Sequence, residues 1–332
     1  MTDIAENTPK KHFLRGWLRL IRLPHLLSVP GDVAIGFLPV WKGSAGSGSV
    51  PYGLLGILMA ASALCFAAGG IANDLADLQS DCMERPNRPV PAHEVPIRAA
   101  VAAAVCAAVL AVCFSSVSPA ACGVCILILA GAAAYDFSRD AAGGHKIVYF
   151  ALCRLLNIGM GAAAAVAVLH DRGGMPELRA SAAAFPAAAV FAAGAFFFWF
   201  GAAKAARERY RFLEMRPGFR LFLAGAVIAY AVLFWTVVRK PTSDWHLLAC
   251  GGVSAVASAV FAVITYWCFR LFHYPVPPIV ARRSLALLVF GWCFLQAAAA
   301  AAQDELAMAG IFAAAGILCR ISAKKLEGDM KT

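Results

Sequence analysis

GGIANDLADLQSDCMERPNRPVP, residues Gly69 to Pro91, decides how the rest of the chain is read. It opens as the end of an apolar run, Leu54 to Ala72, long enough to cross a bilayer. It then sets Asn73, Asp74, Asp77 and Asp81 in a row before Glu84, Arg85 and Arg88. If the helix continues, Asp74 and Asp81 lie two turns apart on one face, with Asp77 between them and close in angle. Carboxylates so placed repel one another, and the arrangement makes most sense around a divalent cation. Oxygen-only ligands favour Mg2+, which keeps waters and shares itself with substrate phosphates. A solvated acidic helix end is the bland alternative, but an oxygen cluster at the end of a spanning helix marks function by default. The prolines of RPNRPVP stop the helix and hold Arg85 and Arg88 beside the carboxylates. A guanidinium there can clamp a phosphate whose other oxygens face the metal.

Outward from this stretch, only 14% of the 332 residues are charged and the mean hydropathy is +0.72, outside the range of ordinary soluble domains. The expected protein is all-α and polytopic. Spanning-length apolar segments fall at about residues 24–41, 52–73, 97–116, 119–137, 147–169, 180–203, 219–238, 246–270 and 284–302, with a shorter tenth from Leu306 to Ile321. The net charge of +10 could point to nucleic acid, but its placement excludes that. With a cytoplasmic N-terminus and ten spans, only Lys42, Arg172, Arg179, Arg239 and Lys240 fall outside the cell, and nearly all other lysines and arginines fall inside. A tenth span is favoured because nine would strand the basic tail outside. The N-terminal region carries no small-residue cleavage site and reads as retained. The organisation is therefore a cytoplasmic amphipathic N-terminus (1–23), one integral domain (24–321) and a cytoplasmic basic tail (322–332), in the cell inner membrane. The 11 cysteines lie mostly in apolar helices and read as packing residues, the lone Cys122-to-Cys125 CxxC included.

Ionisable groups inside apolar runs mark a polar interior. Asp32 lies in LLSVPGDVAIG beside Pro30 and Gly31, and it reads either as the wall of a cavity or as a carboxylate paired with a neighbouring helix. Arg154 and Asn157 lie a turn apart on one helix face, where an arginine needs an anion or a carboxylate. A bound diphosphate would answer it, as would a salt bridge to Asp136 or Asp140. Asp136 stands in YDFSRDAAGGHK, in the same compartment as the acidic stretch. Lys204 and Arg207 open a basic inner loop, and beyond Arg220 no motif rises above anchoring and packing. No Walker motif, GxGxxG, HExxH or nucleophile elbow is present.

NDLADLQSDCMERPNRPVP resembles the first aspartate-rich motif of the UbiA superfamily of intramembrane prenyltransferases, an NDxxDxxxD pattern followed by RPxRP. RLPHLLSVPGDVAIG resembles the family's first helix, and YDFSRD with CRLLN its fourth loop and fifth helix, most closely in an EboC-like branch. The resemblance runs from about Arg22 to Gly161. It implies a ring of nine to ten helices around a central cavity in the lipid bilayer, where Mg2+ holds an isoprenyl diphosphate for transfer to an aromatic or other lipophilic acceptor. Asn73, Asp74, Asp77 and Asp81 would bind the metal, Arg85 and Arg88 the phosphates, and Arg154 and Asn157 would line the cavity. The family's second aspartate-rich motif has no counterpart here; Glu208 alone stands among arginines, so Lys204, Arg207 or Arg154 would supply positive charge. Asp32 or Asp136 would accept the proton. His93 replaces the glycine that usually ends the first motif. The reading left beside this one is a non-catalytic carrier or scaffold of the same fold.

Overall fold

Apolar runs bounded by prolines and glycines become helices, because an apolar segment in lipid must satisfy its backbone internally. The computed structural model describes residues 9–43, 49–137, 144–173, 185–207, 224–225, 227–228, 245–272 and 278–328. The helices are α1 (Pro9–Leu20), α2 (Leu23–Leu26), α3 (Pro30–Lys42), α4 (Tyr52–Ala76), α5 (Leu78–Glu84) and α6 (Ile97–Ser115). They continue as α7 (Pro119–Phe137), α8 (Gly144–Gly173), α9 (Phe185–Arg207), α10 (Trp245–Phe272), α11 (Pro278–Ala302) and α12 (Leu306–Gly328). Proline stands first in α3, α7 and α11, where its missing N–H costs nothing.

Seven segments among the described residues are long and apolar enough to cross a membrane: Leu23–Lys42, Tyr52–Ala76, Ile97–Ser115, Pro119–Phe137, Lys146–Arg172, Leu248–Cys268 and Leu306–Leu326. The protein is an integral membrane protein. α9 and α11 carry two further apolar stretches, Ala189–Lys204 and Leu287–Ala302. Almost all of the expected 219–238 segment lies outside the described residues. On α6, Val101, Val105 and Val109 stand exposed on consecutive turns, an apolar stripe suited to lipid rather than water.

α3 is buried along nearly its whole length and packs on α4, α8, α9 and α11. Its closest partner is α8. A Cβ on Gly36 would run into the carbonyl oxygen of Ile158, and one on Gly161 into that of Val33, so the two backbones touch through paired glycines. This crossing carries the amide of Asn157 to the Val29 carbonyl at 2.9 Å and sets Arg154 beside Asp32. At the other end of α3, Glu305 before α12 ties Lys42 (2.7 Å) to the hydroxyl of Tyr52 (2.6 Å) on α4.

Replacing Gly161 by Ala is expected to force α3 and α8 apart and to cost about 2 kcal/mol. Gly159→Ala, two positions earlier on α8 and with nothing within 4 Å of its added Cβ, should stay within about 1 kcal/mol of the parent. Thermal unfolding of the two variants in detergent measures the difference.

Candidate active site

Between α2, α4, α7 and α8 lies a cavity of about 220 Å³ with a mostly apolar wall. Its polar lining comes from Arg22 and His25, from Ser62 and Asn73 on α4, from Tyr135 and Asp136 on α7, and from Tyr149, Arg154 and Asn157 on α8. Asn73 and Asp136 stand near the C-terminal ends of their helices. Arg154 stands ten residues into α8, about 15 Å along that helix from its start.

The acidic end is built by one interrupted helix. α4 stops at Ala76, Asp77 caps it, and α5 resumes at Leu78, with the Asp81 N–H still bonded to the Asp77 carbonyl at 2.8 Å. Asp74 and Asp81 therefore keep a common side, and Nη1 of Arg88 reaches both, at 3.1 and 2.6 Å. Arg85 adds a longer contact to Asp81 at 3.9 Å. Arg22 Nη2 reaches the same Oδ1 of Asp74 at 2.8 Å, from a left-handed backbone position (φ 52) that breaks the chain between α1 and α2. In the amide orientation its neighbours require, Asn73 accepts from Arg22 Nη2 at 2.7 Å and donates to Asp136 Oδ1 at 3.3 Å. Asp77 is the most open of the row, with Lys146 at 4.0 Å. Burial pushes the Asp81 carboxyl above its ordinary range, and the Arg88 and Arg85 guanidiniums oppose that shift.

Two features hold the loop after α5 in place. Arg19 of α1 pairs with Glu94 at 3.1 Å and donates to the Asn87 carbonyl. His93 adopts a left-handed conformation (φ 58), so the position where the resembling motif carries glycine keeps the glycine-favouring backbone here.

The inner end is organised around an ion pair. Arg154 Nε lies 3.0 Å from Asp32 Oδ2, both side chains being almost completely buried. Asp32 Oδ1 accepts from Trp292 Nε1 and Gln296 Nε2, each at 2.8 Å. Gln296 also donates to the Ser28 carbonyl, while Arg154 Nη1 reaches the Ser28 hydroxyl at 3.3 Å. The guanidinium lies 4.7 Å from the Trp199 ring and 5.9 Å from that of Trp292.

This geometry redistributes the expected roles. Asp32 is not among the residues that line the cavity, and its carboxylate is engaged by Arg154, Trp292 and Gln296. The carboxylate expected opposite Arg154 was Asp136 or Asp140; Asp32 is there instead, and Asp140 lies outside the described residues. Asp136 faces the cavity, and its Oδ2 is buried without a hydrogen-bond partner among the described residues. Of the acidic row, Asn73 alone reaches the wall; Asp74 adjoins it through Arg22. Lys204 on α9 is not part of this wall, and the side chain of Arg207, like Glu208, lies outside the described residues.

Sequence reasoning passed over Arg22 as a site residue, and it passed over Trp199, Trp292 and Gln296. Gln296 carried a signal: it is a lone amide in the apolar stretch Leu287–Ala302, and a polar group at membrane depth needs a partner. For the metal, the donor chemistry fits. Carboxylate and amide oxygens are hard ligands, and the orphaned Asp136 Oδ2 is available beside them. Among the described residues, however, no three His, Cys, Asp or Glu side chains gather at metal-holding distance, and Arg22 and Arg88 are paired with Asp74 and Asp81.

Residues 37–283 match the model of the UbiA prenyltransferase family. No curated protein is matched. A structure described as giving structural and mechanistic insights into the biosynthesis of digeranylgeranylglyceryl phosphate synthase in membranes superposes with a TM-score of 0.55 at 12% identity, over 89% of this chain and 99% of that one. The apo structure of a UbiA homolog from Aeropyrum pernix K1 gives 0.55 at 16% identity, over 90% and 98%. At these identities the likeness concerns the fold.

Arg88→Met is expected to leave Asp74 and Asp81 under-compensated and to cost about 2 kcal/mol near neutral pH. Arg88 stabilises the ionised form of Asp81, so the loss should shrink as pH falls through that raised pKa and the carboxyl takes up its proton. Unfolding midpoints of parent and variant across acidic and neutral pH test both parts.

Proposed function

Since this chain belongs to the UbiA prenyltransferase family, whose membership implies intramembrane prenyltransferase activity, we propose that it moves an isoprenyl group from its diphosphate to a lipophilic acceptor with the help of Mg2+. The observation that supports this most is the joining of Arg22, Asn73, Asp74 and Asp136 into one polar cluster at the end of an apolar cavity. Positive and negative groups alternate there, as a metal-bound diphosphate requires.

In this reading Arg22, Arg88 and Arg85 receive the phosphate oxygens. Asp77 and Asp74, with Asn73, would hold Mg2+, and Asp81 braces Arg88 from behind. Bound there, Mg2+ would neutralise the diphosphate and favour its departure. The apolar part of the wall, Phe66, Ile128 and Phe150 among it, keeps water from the carbon that loses the diphosphate. The C–O bond to diphosphate breaks and a bond to the acceptor forms. The acceptor's proton passes to Asp136 Oδ2, which is buried beside the cavity with no other partner among the described residues. The acidic end faces the cytoplasm, with the basic loops, in the cell inner membrane.

The pairing of Asp74 and Asp81 with arginines favours a second reading, a carrier that holds an isoprenyl diphosphate without turning it over. Asp77→Ala separates the two. With membranes, labelled isoprenyl diphosphate and Mg2+, transfer by the parent should fall by roughly a hundredfold or more in the variant. Transfer indifferent to the change would overturn the assignment of the acidic row, and a parent that binds but never transfers with any acceptor would establish the carrier.

A further inference from the structure

The spans Leu23–Lys42 and Ile97–Ser115 begin, and Tyr52–Ala76 ends, on the side of the acidic row, so that side is one boundary of the bilayer. Helix α1 is held at this boundary without crossing it. We propose that α1 is a docking surface for anionic phospholipid headgroups, and that a lipid surface engaged there braces the loop that carries Arg85 and Arg88. Such a surface needs only the membrane, not the chemistry of the cavity.

Four observations carry this, and the first is depth. Leu20 is fully buried in a cluster with Ile71, Val90 and Val95, and Trp17 packs against it. Gly16 lies so near the loop that a Cβ there would come within 2.8 Å of the Glu94 Cβ and 3.2 Å of a Val95 methyl. Glu94 and Val95 shortly precede the span start at Ile97, as Leu20 precedes that at Leu23, so α1 is pinned between two places where the chain enters the bilayer. The left-handed backbone at Arg22 breaks the direction of the helix, and α1 does not prolong the first span.

The second is exposure. Phe13 is 51% exposed and Leu14 62%, and the Phe13 ring stands edge-on to Trp17 at 6.1 Å. Apolar side chains uncovered at this depth belong in the boundary between headgroups and acyl chains, where aromatic rings also settle. The third is charge. Between Glu6 and Asp32 the sequence has Lys10, Lys11, Arg15, Arg19 and Arg22 and no acidic residue. Arg19 and Arg22 are answered by Glu94 and Asp74. Lys10 and Lys11 are followed one helical turn later by Phe13, Leu14 and Arg15, none of them an acid that could pair with a lysine. Cations flanking uncovered apolar side chains match a surface that offers phosphates above and hydrocarbon below. An acidic soluble partner would meet the charge and leave the apolar pair unanswered.

The fourth is attachment. Arg19 pairs with Glu94 and donates to the carbonyl of Asn87, which stands between Arg85 and Arg88. Segments tied in this way open together, so whatever restrains α1 also restrains the loop.

The test uses the full chain in lipid nanodiscs, one set of phosphatidylcholine alone and one with roughly one lipid in three replaced by phosphatidylglycerol. Backbone amide hydrogen exchange reads α1 and the loop 85–95 separately. Phosphatidylglycerol should slow exchange in α1 by about tenfold or more, since each cation near an anionic surface is worth roughly fivefold, and it should slow the loop in parallel. Lys10→Gln/Lys11→Gln should remove most of the difference between the two lipids. Molar salt, which shortens screening to about 3 Å, should do the same to the parent and serves should the variant not fold. Arg19→Met should leave α1 responsive to phosphatidylglycerol and release the loop from it. Exchange in α1 that ignores phosphatidylglycerol overturns the proposal, and so does a response that survives the lysine changes or the salt. A loop that stays indifferent while α1 responds, or that responds equally in Arg19→Met, overturns the bracing.

Discussion

An arginine at membrane depth must be answered, and how Arg154 is answered shapes the rest of this structure. Its partner, Asp32, comes from a helix more than a hundred residues earlier in the chain. The two meet only because α3 and α8 touch backbone to backbone at Gly36 and Gly161. Small residues at such a crossing substitute for the hydrophobic drive that is missing between helices in lipid. The ion pair and the crossing are thus one arrangement. The glycines bring the charges within reach, and the charges make any other register of the two helices costly, because a slip would leave Asp32 and Arg154 each buried alone.

The two polar ends of the cavity solve opposite problems. At the acidic end, Asp74 and Asp81 are buried from water, and Arg22 and Arg88 are drawn onto them. That pairing makes the end stable without a cation, and it leaves Asp77 and Asp136 as the groups least committed to protein partners. At the inner end the balance is one to one, and among the described residues both a donor, Arg154 Nη2, and an acceptor, Gln296 Oε1, are buried without a hydrogen-bond partner. The wall between them is mostly apolar.

Most of the architecture was legible from hydropathy, because segments such as 97–116 and 119–137 have no alternative in lipid but a spanning helix, and their helices end within a residue of the expected limits. The acidic row with its two arginines was legible from spacing. Arg88 was expected beside the carboxylates and stands between two of them. Arg22 was not legible as a site residue, because its reach to Asp74 depends on a left-handed break before Pro24 that periodicity does not encode. Trp292 and Gln296 were read as anchoring and packing because their partner lies some 260 positions away, and no local pattern reports a contact at that distance.

His93 shows how a departure from a motif can leave the geometry intact. The backbone there needs a positive φ, glycine supplies it without strain, and histidine is one of the side chains that tolerates it at modest cost. What keeps the turn in shape is therefore its surroundings. Arg19 grips Glu94 and the Asn87 carbonyl, so the amphipathic N-terminal helix is fastened to the loop that carries Arg85 and Arg88. Helix α1 and the loop that carries Arg85 and Arg88 are thereby held as one piece. A disturbance of α1 should be felt at the acidic end before it is felt at Arg154, whose supports come from α3 and α11.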